Sequence, residues 1–200
     1  MTQREQIITP TQREKSEKIF EECAHEICPH FQIMPQNAEA FKELKYYTLG
    51  FPHKEIEPKK GLWLWGDIGV GKTTLLYIMQ RYLLLTEARE HSRFFKIISP
   101  AKLSLDVIAS GPAILSDYYT DNIAFDDLGK EICPVGIYGS TINVMQMLLQ
   151  MRYNYCGRFR TFVTTNLAPQ DIIKMYGASV RDRCIEMFNF LEFRGVSFRK

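Results

Sequence analysis

The chain has 200 residues, 46% of them hydrophobic and 24% charged, which fits one compact globular domain with a short appendage. Twenty-five basic against 23 acidic residues leave a formal charge of +2, so any contact with nucleic acid must come from a local patch and not from a whole-molecule field. No apolar run approaches the roughly 20 residues needed to span a bilayer, the first residues do not read as a signal peptide, and five scattered cysteines argue for a reducing cytoplasm over a disulfide framework.

Over residues 10–27, Ile19, Phe20, Cys23 and Ile27 recur among Glu and Lys at helical spacing, with Thr9 or Thr11 as cap and Pro29 as stop. A second helix is predicted over 36–47, with Phe41, Leu44 and Tyr47 on one face. Residues 50–60 are Pro-rich and charged and read as a linker or surface crossing. Then the texture changes. Leu62-Trp63-Leu64-Trp65 is an unbroken apolar run, the mark of a strand buried on both faces of a parallel sheet. A helix is predicted over 72–90, followed by strands at 94–98, 122–126, 161–165 and 189–193. Helical stretches at 100–109, 140–155, 169–175 and 179–187 separate them. Strands alternating with helices imply right-handed crossovers and a doubly wound, parallel α/β sheet.

Between the first of these strands and its helix lies Gly66-Asp67-Ile68-Gly69-Val70-Gly71-Lys72-Thr73, which matches G-x-x-x-x-G-K-[ST]. Glycines let the backbone curl around a phosphate, and the loop N–H groups with the following helix N-terminus then point at the anion. Lys72 is expected to face solvent and to reach the β- and γ-phosphates, Thr73 to bind Mg²⁺ through its hydroxyl, and Thr74 to open the helix body. ATP with Mg²⁺ is the expected cofactor. Downstream, Ile123-Ala124-Phe125-Asp126-Asp127 is an apolar strand ending in two carboxylates. Asp126 sits where a carboxylate holds Mg²⁺ and its waters, and Asp127 where one polarises an attacking water. Asp127 is shorter than a Glu, so Glu131 stands beside it as an alternative base. The predicted strand at 94–98 separates the loop from these acids, which favours hydrolytic, motor-type P-loop proteins over nucleotide kinases. The strand between them ends in Thr164-Thr165-Asn166, whose amide can hold a lytic water or the γ-phosphate from the side.

In these residues the chain resembles the AAA+ ATPases of the DnaC/DnaI helicase-loader and IstB transposition-helper group. The likeness is carried by Gly66–Thr73, by Ile123-Ala124-Phe125-Asp126-Asp127-Leu128-Gly129, and by Arg152-Tyr153 followed by Thr161–Leu167. Tyr176-Gly177 with Val180-Arg181-Asp182-Arg183, and Arg194-Gly195-Val196-Ser197-Phe198-Arg199, complete it. The resemblance implies a three-layer P-loop NTPase with an AAA+ core over 56–200, its five parallel strands ordered 5-1-4-3-2, preceded by a short helical segment over 1–55. No C-terminal lid domain is expected. It further implies a homo-oligomer with ATP at subunit interfaces, acting on single-stranded DNA beside a replicative helicase or a transposase. Asn166 falls at the sensor-1 position and Arg183 at the arginine finger, with Arg181 as close competitor. A helicase loader is the favoured reading. An IstB-like transposition helper, or a non-hydrolytic protein that uses ATP binding as a switch, are the alternatives.

Weaker signals remain. Cys23, His25, Cys28 and His30 invite a metal reading but lack a second, distant ligand pair, so a buried helix face is the stronger expectation. Arg93-Phe94-Phe95-Lys96, and Arg152-Tyr153-Asn154-Tyr155 with Arg158 and Arg160, pair cations with aromatics in a way that suits a single strand; sheet core explains them equally well. Tyr46 and Tyr47 are candidates to flank the adenine or to pack in the core.

Overall fold

A computed structural model describes residues 9–51, 55–87, 93–137 and 139–198. Two helices, α1 (Pro10–Ile27) and α2 (Ala38–Leu49), precede strand β1 (Gly61–Gly66) and helix α3 (Lys72–Thr86). Strand β2 (Lys96–Ile98), helix α4 (Pro100–Ser110) and strand β3 (Ile123–Leu128) follow. A hairpin of β4 (Val135–Ile137) and β5 (Ser140–Ile142) leads to α5 (Val144–Tyr153) and β6 (Thr161–Thr165). The chain then runs through α6 (Asp171–Tyr176), α7 (Ala178–Met187) and β7 (Phe188–Phe193).

Five strands form one parallel sheet in the order β2-β3-β6-β1-β7. Counted in chain order from the other edge this is 5-1-4-3-2, the order that the resemblance implies. Side chains alternate between the sheet's two faces, and the two cores show it. Leu62, Leu64, Ala124 and Phe162 join Phe20 of α1, Leu44 of α2 and Leu76 and Met79 of α3 on one side. Trp63, Phe125 and Val163 join Val107, Leu148, Ile172 and Val180 of α4, α5, α6 and α7 on the other. The result is three layers, with β6 and β1 buried in the middle of the sheet.

Local departures from the predicted elements have local causes. Thr9 caps α1 in a capping box with Gln12, settling the choice between Thr9 and Thr11. The helix predicted from 140 begins at Val144, because Asn143 accepts the Gln146 N–H and residues 140–142 pair antiparallel with 135–137. The helix predicted over 72–90 ends at Thr86, and residues 88–90 lie outside the described ones. Phe51 and Ile56, in the stretch read as a linker, are buried in the α1–α3 core. Strand β3 runs past the predicted Asp126: its register with β6 shifts between Phe125 and Leu128, and Asp127 there takes φ 64°.

Candidate functional site

The C-terminal ends of β1, β3 and β6 meet where an open parallel sheet ordinarily offers its crevice. The loop after β1 turns sharply at Gly66, and a Cβ there would lie 2.0 Å from the Phe193 carbonyl oxygen. At Gly69 (φ 78°) a Cβ would lie 2.1 Å from Ser197 Oγ, so glycine is required by what presses on the loop from outside. Gly71 then opens α3 with no side-chain cap, leaving that helix's first N–H groups directed at the crevice.

Lys72 is only 6% exposed, against the expectation that it faces solvent. Its ammonium donates to the carbonyls of Gly66 (2.9 Å) and Asp67 (2.6 Å) and to Asn166 Oδ1 (2.9 Å). The loop curls tightly enough for its own carbonyls to capture the cation. One residue on, Thr73 Oγ1 donates to Asp126 Oδ1 at 2.8 Å. Thr164 Oγ1 donates to the same carboxylate oxygen and accepts the Asp127 N–H at 2.9 Å. Asp127, turned by its left-handed backbone, pairs with Lys130 at 2.8 Å. The loop after β1, both acids and Asn166 are thus brought together.

A cavity of about 710 Å³ opens over this cluster. Ile68, Gly69, Val70, Gly71, Lys72, Thr73 and Thr74 line its floor, and Asp127, Lys130 and Asn166 its flank. Its remaining wall comes from two segments to which the sequence assigned no part in nucleotide binding. Residues 28–34 form one side, and Phe193 with Phe198 the other. Asn37 ties them together: its Nδ2 donates to the Arg194 carbonyl and its Oδ1 accepts the Arg194 N–H, both at 2.9 Å. Asp67 directs its carboxylate away from the crevice, accepting the Gly195 N–H at 2.7 Å, and Phe198 N–H donates to Gly69 O at 3.0 Å.

Several sequence candidates lie elsewhere. Glu131 is buried outside the cavity lining, with Oε2 accepting the Gly129 N–H (2.7 Å) and Oε1 accepting the Tyr176 hydroxyl. Its oxygens face a packed phenol and a backbone amide, not the crevice. Arg183 stacks over Tyr153 at 5.3 Å, and Arg181 is paired with Asp182 at 3.4 Å; both sit on α7, away from the cavity of their own chain. Arg152 is 2% exposed and donates to Thr161, Tyr118, Asp121 and Arg160, so it is no free nucleic-acid ligand. Burial draws its pKa down to about 10. Arg93 is held by Glu87 and the carbonyls of Tyr47 and Thr48, Phe95 is core, and Arg160 binds the Pro58 carbonyl. Arg158 and Tyr155 of that group are exposed. Tyr46 and Tyr47 pack with the core, and neither lines the cavity. Cys23 is buried in the core, Cys28 and His30 line the cavity, and no group of three metal-ligating side chains occurs among the described residues.

Thr164 is the site residue that the sequence reading passed over, although a hydroxyl inside a fully buried central strand is a legible signal: it must have a partner. No helix among the described residues is long and apolar enough to cross a membrane. No protein-family model matches the chain, and no curated protein matches it significantly. Solved structures do match it. The crystal structure of DnaI superposes with a TM-score of 0.62 at 22% identity, covering 88% of this chain and 93% of that one. A putative primosome component from Streptococcus pyogenes serotype M3 gives 0.58 at 23%, over 84% and 88%. The DnaC helicase loader gives 0.57 at 18%, over 84% and 95%. At these identities the likeness is one of architecture: the chain shares its fold with the DnaI and DnaC structures.

Proposed function

We propose that this chain is a Mg²⁺-dependent, ATP-binding and ATP-hydrolysing AAA+ protein that acts in DNA replication, as a helicase loader on single-stranded DNA. The observation that carries the reading is the placement of Lys72. It lies under a cavity large enough for a nucleotide, between carbonyls and an amide that a phosphate would displace, at the N-terminus of α3. The loop N–H groups and Lys72 bind the phosphates, and the wall of residues 28–34 with Phe198 takes the base. Thr73 and Asp126 present adjacent hard oxygens suited to Mg²⁺. Bound there, the ion would neutralise phosphate charge. Asp127 orients the attacking water and takes its proton, and Asn166 steadies the γ-phosphate. Arg183, or Arg181 beside it, reaches the site of a neighbouring copy in a homo-oligomer. The structural likeness to the DnaC helicase loader supports the choice of task.

One feature favours the non-hydrolytic switch as a second reading: the Asp127 carboxylate is engaged by Lys130. Turnover decides between them. Arg183→Ala should keep ATP affinity and lose hydrolysis by roughly 10³-fold or more, and mixing it with Lys72→Ala protein should restore part of the turnover. Stimulation by single-stranded DNA and capture of a replicative helicase are expected. Capture of a transposase instead would assign the IstB-like task, and no hydrolysis under any condition would assign the switch.

A further inference from the structure

We propose that Tyr176 and Glu131 form a positioning pair that couples the helix bearing Arg181 and Arg183 to the acidic loop of the site; this rests on the ATP-hydrolysis reading above. Glu131 is not itself a base here. It is a buried strut between two moving parts.

The geometry is a chain of direct contacts. Tyr176 ends α6, and Gly177 (φ 85°) turns the backbone into α7, which carries both arginines. The Tyr176 side chain is 1% exposed, and its hydroxyl donates to Glu131 Oε1. The other oxygen of Glu131 accepts the N–H of Gly129, which closes the irregular end of β3 just after Asp126 and Asp127. Gly129 (φ 97°) lies so close beneath Leu167 that a Cβ would come within 2.8 Å of Leu167 Cδ1. Leu167 follows Asn166, which holds Lys72. One buried carboxylate thus joins the α6–α7 elbow to the segment that sets the Asp127 backbone, and through Gly129 to the Asn166 turn.

Among the described residues two further side-chain hydrogen bonds anchor the elbow, and neither reaches the acids. Asn143 Nδ2 donates to the Met175 carbonyl and Gln146 Nε2 to the Tyr176 carbonyl, at 2.9 and 3.0 Å. Those bonds tie the elbow to α5. The phenol supplies the link to β3. Burial, then the adjacent Glu131 carboxylate, raise the Tyr176 pKa, which keeps the hydroxyl protonated as a donor. When a neighbouring copy engages α7, the elbow moves, and the strut carries that movement to Asp127. Arginine delivery and water orientation then occur as one event.

Tyr176→Phe removes one hydroxyl and keeps the ring, so packing survives. In that variant ATP affinity should stay within about twofold, while turnover falls about tenfold, the effect of one lost hydrogen bond to a charged group. Glu131→Gln is the decisive comparison. Its amide can still accept from Gly129 and can donate to the phenol oxygen, so turnover should stay within about threefold of wild type; Glu131→Ala should resemble Tyr176→Phe. A Glu131→Gln protein that binds ATP normally but is dead would make Glu131 the base and overturn the proposal. So would full turnover in Tyr176→Phe. Hydrogen exchange gives a readout independent of hydrolysis. In Tyr176→Phe, amides of residues 127–130 and of the first turn of α7 should exchange faster together, by about tenfold. Acceleration of one segment alone would break the coupling, even if the protein proved not to hydrolyse ATP at all.

Discussion

Two buried cations stand at opposite ends of the central strands. Lys72 lies at the C-terminal end of β1, and Arg152 reaches the N-terminal ends of β3 and β6. Both are almost fully hidden, yet their surroundings differ in kind. Arg152 spreads a rigid fork over four acceptors, the Thr161 hydroxyl and the carbonyls of Tyr118, Asp121 and Arg160, with the Phe125 ring 5.9 Å away. Each of the three guanidinium nitrogens donates to at least one of these acceptors. Lys72 ends a flexible stem as a point charge, and its acceptors belong to a loop and to an amide beside an open cavity. Burial alone therefore does not mark a functional cation. Exchangeable acceptors next to accessible space do.

Swapping these cations for Ala should separate the two roles. Lys72→Ala is expected to lower nucleotide turnover by at least 10²–10³-fold, with a thermal transition close to wild type; a large fall in the transition would make Lys72 a structural residue like Arg152. Arg152→Ala should do the reverse. It strands buried acceptors and is expected to destabilise the fold by about 3–5 kcal/mol, while protein that remains folded still binds nucleotide. Arg152→Lys should recover little of that loss, since one ammonium cannot satisfy four acceptors in a plane. Chemical denaturation monitored alongside nucleotide binding would show both.

Asn37→Ala tests the wall of the cavity and not its floor. Losing both bonds to Arg194 should cost about 1–3 kcal/mol and hasten nucleotide dissociation, with the chemistry at Lys72 untouched. An unchanged dissociation rate would mean that residues 194–198 contribute no wall. The smallest effect concerns alkali. Burial pushes Cys184 and Tyr47 up to about 12, from 9.0 and 10.0. Both groups fold in the neutral form, so their contribution is complete below about pH 9 and is lost as pH rises toward 12. Stability should be flat from pH 7 to 9 and decline above it. At pH 8 a maleimide should label exposed Cys156 readily and Cys184 only on unfolding.

Features with a short-range signature were legible in the sequence. The apolar Leu62–Trp65 run, the glycines before Lys72 and the acids after Phe125 each stand within a few residues of what they do, and the sheet order followed from the resemblance that they anchor. Thr73 and Asp126, both read from the sequence as Mg²⁺ ligands, lie within hydrogen-bond distance of each other. What stayed hidden depends on distant chain meeting distant chain. No local pattern announces that Asn37 grips Arg194, or that residues 28–34 and Phe198 share a cavity wall. The opposite error has the same source. Arg152 and Arg93 read as candidates to grip a single strand and Glu131 as an alternative base, because the partners that bury them lie up to 46 residues away. The helix predicted from 140 starts late for a related reason: residues 140–142 pair in a hairpin, and the cap at Asn143 begins the helix only at Val144.

The contact between Gly69 and Ser197 bears on how such a chain can diverge. Loop glycines are usually explained by the phosphate they face. Here the space a side chain would need at 69 is filled from the other side, by a serine that follows the last strand. The two positions form one mutational unit. In a saturation library, Gly69→Ala should be rejected on its own and better tolerated together with Ser197→Gly, apart from the residual strain of a left-handed backbone. A bulkier residue at 197 should be purged even though it lies outside the recognised loop.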